Sequence, residues 1–438
     1  MAVSTNANLK RQMIYQIFTR NYKGGTFRDV KEDLDRIQAL GTDIIYLLPI
    51  QPCGEKNRKG SVGSPYAIQD YRSVDPSQGT MEDFVELCRA VHERSMKIII
   101  DVVYNHTSPD SRLAKEHPDW FYHKPDGSLG NRIGEWWDVV DLDYSNADLW
   151  RYQIDTLKMW AGLVDGFRCD VAPLIPLEFW LQARKEVEEV RPGCIWLAES
   201  VEPEFIAANR ALGFGSLSDG ELYQAFDICY DHDVYYQMKN AITGEGSLSD
   251  YLSLVNLQEA IYPANAIRLR FLENHDRPRA AALIPDERTL RNWTAWSFFA
   301  KGTVLLYSGQ EFENTHHPTL FDKDTISFDT GKDLSAFIRK LSEIRRDPLF
   351  EHSVFHAERC GKNRSVIVAR LTGIKGTASE GREAVGIFQT SPQIENVKID
   401  LPNGTYRNEI SESELDVFEG VAVWDNEPVI LFLDEKGG

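Results

Sequence analysis

Gly166-Phe-Arg-Cys-Asp-Val-Ala172 is the stretch around which the chain is organised. It follows a helical pattern over Asn146 to Ala161 and the short apolar Leu163-Val164, so it reads as a β-strand ending at the edge of a packed core. Arg168 and Asp170 are two residues apart, and in a strand such residues project to one face. An arginine beside a carboxylate favours its ionised form and orients it. An oriented carboxylate is what nucleophilic attack on an electron-poor carbon requires. Taken alone, Arg-x-Asp is most simply a structural ion pair at a strand end. The rest of the chain changes that reading.

Working outward, apolar runs alternate with helical periods. Ile14–Phe18, Ile44–Pro49, Lys97–Tyr104, Val164–Cys169, Cys194–Ala198, Phe226–Tyr230, Ile267–Leu272 and Thr303–Tyr307 are strand candidates. Between them Asp29–Leu40, Met81–Arg94, Asn146–Ala161, Pro176–Val190, Asp231–Ile242 and Asp286–Lys301 carry helical spacing. Eight such runs predict an α/β fold, a (β/α)₈ TIM barrel, over residues 1–107 and 145–348. A doubly wound dinucleotide fold is disfavoured, because Gly213-x-Gly215 and Gly244-x-Gly246 lack the third glycine and the strand-to-helix context. Residues 108–144, rich in Pro, Asp, His and Trp without a clear period, are expected to form a short inserted subdomain after the third strand. From 349 to 438 the period changes to two (Ser365–Leu371, Ala384–Phe388, Val397–Leu401, Val429–Leu433), which predicts a C-terminal antiparallel β-sandwich domain.

A barrel places its chemistry at the C-terminal ends of its strands. There the sequence supplies Asp101, Asn105 and His106, then Arg168 and Asp170, then Glu199, then Glu273, His275 and Asp276. Any one of these is an ordinary cap or loop charge; together they converge on one rim. Paired carboxylates with a flanking arginine and histidines, and no His-x-x-x-His or cysteine-rich metal signature, suit glycoside hydrolysis. One carboxylate attacks the anomeric carbon and the other protonates the leaving oxygen and later activates water. Asp170 and Glu199 end consecutive strands, which fits the ~5–5.5 Å separation of a retaining pair. Trp196, Leu197 and Ala198 precede Glu199, and desolvation there is expected to raise its pKa towards that of a general acid.

The blocks Asp101–Thr107, Gly166–Ala172, Trp196–Ser200 and Phe271–Asp276 resemble, in order and spacing, the four signature regions of the α-amylase family, glycoside hydrolase family 13. Gly63–Tyr71, Val140–Asp143 and Gly302–Glu311 add to the resemblance, which runs over essentially the whole chain. It implies Asp170 as nucleophile, Glu199 as general acid/base and Asp276 as transition-state stabiliser. It further implies Tyr66, Asp101, His106, Arg168, His275 and Arg279 around the bound sugar, and Asn105 and Asp141 as ligands of a structural calcium; the chemistry itself needs no cofactor. Pro173-Leu174 stand where calcium-dependent α-amylases carry Lys-His, which weakens the calcium expectation. Val171 and Arg279 look more like exo-acting members. Trp136 and Trp137 are candidates for stacking on sugar rings, or for stapling the insertion to the barrel. The adjacent His316-His317 read as a loop rather than a metal pair.

The expected substrate is an α-glucan oligosaccharide cleaved at α-1,4 bonds. An α-1,6 or exo-acting hydrolase, a glucosyl-transferring relative and a catalytically silent carbohydrate-binding relative are the alternatives. The net charge of −19 argues against nucleic acid or an anionic membrane as partner. No run of ~20 apolar residues is present. Six scattered cysteines and the polar first twelve residues lead to a cytoplasmic expectation. Oligomeric state and endo versus exo action are open at this level.

Overall fold

The computed structural model describes residues 5–134, 136–360, 365–393 and 396–434. Eight parallel strands close into a barrel in the order Met13–Ile17, Thr303–Tyr307, Ile267–Arg270, Ile228–Tyr230, Ile195–Ala198, Gly166–Cys169, Lys97–Val102 and Ile44–Leu47. In this closed ring the first strand of the chain stands across from the fifth. Apart from Lys97, the strand residues are all buried, as expected for parallel strands enclosed by helices on one side and barrel interior on the other. The barrel closure predicted from the alternation of elements is therefore present.

Local sequence explains the helix starts. Thr80 and Asp83 form a reciprocal capping box at Met81–Glu93, and Asn146 caps Ala147–Ala161. The helix expected over Asp29–Leu40 is instead two, Phe27–Glu32 and Leu34–Ala39. Asp33 leaves helical geometry between them, and its buried carboxylate is held by Lys23 at 2.7 Å, by Arg36 at 2.7 Å and by the Tyr22 hydroxyl. This tertiary network outweighs helical periodicity at one residue.

Among the described residues, three helices of nine residues or more escape the periodicity reading: Pro203–Ala211, Leu248–Ile261 and Ser335–Ile344. Leu248–Ile261 has no clean polar face because Leu257 and Ile261 are exposed outside its buried stripe of Leu248, Tyr251, Leu252 and Val255; it also lies beside the C-terminal sheet. There the Asn256 amide exchanges two hydrogen bonds with the Ala357 backbone, at 2.8 and 2.9 Å. Those bonds also occupy the outer edge of strand Ser353–Cys360, which would otherwise be open to further pairing.

The C-terminal region forms two four-stranded antiparallel sheets. One runs Ser353–Cys360, Val366–Gly373, Arg382–Gln389, Val429–Asp434; the other runs Val397–Lys398, Val421–Val423, Glu414–Phe418, Gly404–Arg407. Val366, Val368, Val385, Ile387, Val417 and Leu431 are among the side chains buried between them. Trp296 and Phe299 of helix Glu287–Phe299 pack on Phe388, and Asn292 Oδ1 accepts from the Gln389 amide at 2.7 Å. The first sheet is thus continuous with the barrel core. After the third barrel strand the excursion begins with His106–Thr107 pairing antiparallel to Val140–Asp141, and this ribbon holds His106 at the mouth of the barrel. Among the described residues no helix is long and apolar enough to cross a membrane.

Candidate active site

The site is built on strand register. Asp101 and Arg168 are direct partners on neighbouring parallel strands, so their side chains enter the barrel at one level. Arg168 is also opposite Leu197, and Asp170 and Glu199, each two residues further on, project the same way. Three carboxylates therefore converge on one guanidinium. Arg168 Nη1 lies 2.9 Å from Asp101 Oδ1 and 2.7 Å from Asp170 Oδ1, and Nη2 lies 2.9 Å from Glu199 Oε1. Arg168 is fully buried, and its ring-face contacts with Tyr66 (5.6 Å) and Tyr230 (5.5 Å) complete its enclosure.

This sharing alters two sequence-based expectations. Burial pushes Asp170 well above the usual carboxylate range, and repulsion from Glu199 adds to it, against the pull of Arg168. Asp170 and Glu199 thus compete for one positive charge, which favours the protonated form of Asp170. Glu199, expected in apolar surroundings, is instead ion-paired: Oε1 faces Arg168 and Oε2 accepts the Val171 amide at 2.8 Å. The apolar residues before it belong to the barrel wall, not to its carboxylate.

Asp276 opens to the cleft, its side chain 40% exposed. Enclosure in the barrel mouth would raise it, but His275, 3.1 Å away, and Arg168 hold it below the ordinary range. His275 is fixed from below by Gln16 Nε2 at 2.9 Å and touches the Tyr66 hydroxyl at 2.5 Å. That hydroxyl donates to Asp101 Oδ2 at 3.1 Å, and Tyr46 donates to the same oxygen at 2.7 Å. His106 Nε2 is 3.9 Å from Asp170 Oδ2; burial, with nearby Lys59, lowers its pKa to about 3, so it is neutral in the ordinary pH range.

Tyr66, His106, Asp170, Glu199 and Asp276 line one cavity of 220 Å³ with Lys59, Trp136, Asp138, Val171 and Phe321. A larger cavity of 510 Å³ lies between the insertion and the loops after the fourth and fifth strands, and none of Asp170, Glu199 and Asp276 lines it.

Two groups of expected site residues fare differently. Arg279 does not line the cavity shared by Asp170, Glu199 and Asp276. It is fully buried, with Nη1 2.6 Å from Glu273 Oε1 and 3.0 Å from the Ser308 carbonyl, and it packs on Tyr307. A desolvated guanidinium needs a buried counter-charge, and Glu273 supplies it beneath the loop. Asn105 and Asp141 do come together, and Asp141 Oδ1 is buried with no hydrogen-bond partner among the described residues, but the other Asp141 oxygen is already committed to a cation of the protein. Asp141 Oδ2 accepts from the Arg132 amide at 2.7 Å and faces its guanidinium at 3.4 Å. The same guanidinium donates to the Leu142 carbonyl at 3.2 Å, and the Asn105 amide nitrogen turns to His106 Nδ1. The protein's own cation thus stands beside the carboxylate. His316 pairs with Asp324 and His317 Nε2 with the His275 carbonyl, so the two do not share a ligand.

Gln16, Tyr46, Tyr230, Lys59 and Asp138 went unnoticed in the sequence. Each is an ordinary barrel or loop residue there, and only strand pairing, or for Lys59 and Asp138 the meeting of two loops, brings it to the site. Trp136 does reach the cavity, 5.4 Å from the His106 ring and stacked at 6.4 Å on Phe205. Val171, between these groups, holds a left-handed backbone (φ 35°), a strained state for a β-branched residue.

A barrel of eight parallel strands with acid and base groups gathered at its C-terminal rim is the framework of many hydrolases and transferases. The model of the α-amylase catalytic domain matches residues 5–359, and that of the bacterial α-amylase C-terminal domain matches 360–431, so the chain belongs to the α-amylase family. Among solved structures, an α-amylase from Lactobacillus plantarum is 44% identical with TM-score 0.93, over 98% of this chain and 100% of that one. The noncanonic maltogenic α-amylase AmyB from Thermotoga neapolitana is 33% identical with TM-score 0.84, over 98% and 99%. The α-amylase MalA of Haloarcula japonica is 27% identical over 76% of this chain and 48% of that protein. The chain therefore spans about half the length of that curated relative.

Proposed function

We propose that the protein is a retaining α-glycosidase that cleaves α-1,4 bonds of maltodextrins through a covalent glycosyl–enzyme. The observation that carries this reading is the single guanidinium, Arg168, holding Asp170 and Glu199 side by side with Asp276 exposed across the cleft. In the first step an Asp170 oxygen bonds to the anomeric carbon, the glycosidic C–O bond breaks, and Glu199 gives its proton to the departing oxygen. As Asp170 loses its charge, Arg168 is freed to favour the newly ionised Glu199. In the second step Glu199 takes a proton from water, the water oxygen bonds to the anomeric carbon, and Asp170 leaves as carboxylate. Asp276, kept ionised by His275 and Arg168, faces the positive charge that develops on the sugar ring. Asp101, Tyr46 and Gln16 act by positioning Arg168 and His275.

The named α-amylases among its relatives support the substrate class. The Arg132–Asp141 pair supports a fold that needs no calcium, and six unpaired cysteines support a reducing compartment. A second reading, transfer of the glycosyl group to a sugar in place of water, is favoured by one feature. Val171, Leu174, Val201, Phe205 and Ile206 form an apolar wall on the Glu199 side, where an acceptor would lie.

The test is turnover of maltoheptaose by wild type and Asp170→Asn, with product anomers followed by NMR. Loss of roughly 10⁴-fold or more in the variant and an α-configured first product are expected. Undiminished turnover by the variant, or a β-configured product, would sink the mechanism; products longer than the substrate would establish transfer.

A further inference from the structure

The catalytic cavity has an end that the reaction does not require. Lys59, on the loop after the second strand, lies 2.7 Å through Nζ from Asp138 Oδ1 of the insertion, and Asp138 is only 6% exposed. The same ammonium sits over the rings of Trp137 (5.3 Å) and Phe321 (5.7 Å), the latter on the loop after the eighth strand. Three separate loops thus meet at one cation, and each is tied down. Asn57 Nδ2 donates to the Trp137 carbonyl at 3.3 Å. Ser61 donates to Asp322 Oδ1 through its amide at 2.7 Å and its hydroxyl at 2.6 Å. Val62 and Gly63 donate to the Phe321 carbonyl at 3.0 and 3.1 Å. Gly60, at φ +63°, approaches Phe321 so closely that a Cβ would lie 2.6 Å from the Phe321 carbonyl oxygen.

The position of this bar follows from the order of the strands. The second and eighth strands flank the first, and the first stands across the barrel from the fifth, which carries Glu199. Glu199 protonates the leaving group, so the leaving sugars lie on its side and the non-reducing part of the chain lies opposite. The bar therefore crosses the non-reducing side. The cavity it borders, 220 Å³, is smaller than the roughly 300–1,000 Å³ of sites that enclose a drug-sized ligand. A single sugar ring suits that space, whereas a continuous chain needs an exit through the bar.

We propose that the Lys59–Asp138 pair closes the non-reducing side of the catalytic cavity and confines the enzyme to the non-reducing ends of its substrate. This rests on the proposed glycosidase chemistry and on Glu199 as the proton donor; it adds where along the glucan chain cleavage occurs. Lys59 and Asp138 are then specificity-determining residues. The pair contacts no reacting atom.

The test compares two chromophore-tagged maltoheptaosides, one with a free non-reducing end and one whose terminal O4 and O6 carry an ethylidene group. Wild type is expected to turn over the blocked chain at least 100-fold more slowly in kcat/KM. Lys59→Ser, and separately Asp138→Ser, are expected to narrow that ratio by 10-fold or more, because the chain then passes through. Comparable rates on both chains with wild type would overturn the proposal. So would an unchanged ratio in two variants that still cleave the free chain. The wild-type ratio stands whether or not the variants fold. Cleavage of neither chain would instead sink the glycosidase reading, and this inference with it.

Discussion

The placement of Arg279 yields the sharpest prediction, because a substrate contact and a buried strut respond differently to its loss. In Arg279→Met the stem is largely kept while the guanidinium is removed. Glu273, 1% exposed, then loses its counter-ion, and the Ser308 and His316 carbonyls lose a donor. Breaking a buried pair by removing one partner costs about 3–5 kcal/mol, and the lost cation–ring contact with Tyr307 adds about 1–2 kcal/mol. A loss of about 4 kcal/mol or more is expected, equivalent to at least about 8 °C at the ~2 °C per kcal/mol of larger chains. Glu273→Gln in the same chain keeps an oxygen for the Ala280 amide, which Glu273 Oε2 accepts at 2.6 Å, and removes the stranded charge. The double variant should therefore regain about 2 kcal/mol, a coupling that a double-mutant cycle in urea reads directly. KM for maltoheptaose, measured on the folded fraction at 25 °C, should change less than about threefold. A tenfold rise in KM without loss of stability would refute the reasoning and return Arg279 to the substrate.

Three further outcomes follow from other contacts. Tyr46→Phe removes a hydroxyl that donates to Asp101 at 2.7 Å; about 1.5–3 kcal/mol of urea stability should be lost, with kcat falling more than KM rises because Arg168 is less well held. Lys10 is buried, and burial, with repulsion from Lys301, lowers its pKa to about 8. The unfolded chain then binds the proton more tightly, so stability is penalised below about pH 8 and the penalty fades as pH rises towards 10.5. Lys10→Met should accordingly gain about 2–3 kcal/mol at pH 7 and little at pH 10 in urea titrations; an equal gain at both would contradict the assignment. Because Arg132 stands beside Asp141, wild-type melting should be the same in chelator and in millimolar calcium, and a fall of several degrees in chelator would mean that a metal is bound.

Much of this molecule was readable in one dimension. The barrel strands are short, buried on both faces and separated by helices, so their residue types announce them. Asp101, Arg168, Asp170, Glu199 and Asp276 each lie at or just beyond a strand end, and alternation along a strand says which side they take. Helix Leu248–Ile261 escaped because the exposed Leu257 and Ile261 blur the polar stripe on which periodicity depends. The break at Asp33 escaped because its cause, Tyr22 and Lys23 reaching back to one carboxylate, is not a property of the helix. Glu414–Phe418 and Gly404–Arg407 lie in the smaller sheet, where polar residues on the open face dilute the apolar signal.

The sequence by itself determined the architecture and which carboxylates stand at the ends of the barrel strands, because burial pattern and strand-end position are local properties. Tertiary structure alone decided how those carboxylates share charge. Arg168 binds three of them rather than the one beside it, since barrel closure sets Asp101 and Glu199 on the flanking strands and desolvation makes each seek the nearest cation. The same closure placed Arg279 under the loop with Glu273, set Arg132 beside Asp141, and drew Lys59 across the cavity to Asp138. Each is a pairing of charges far apart in the chain, and a buried charge takes its partner from whatever the fold brings within reach.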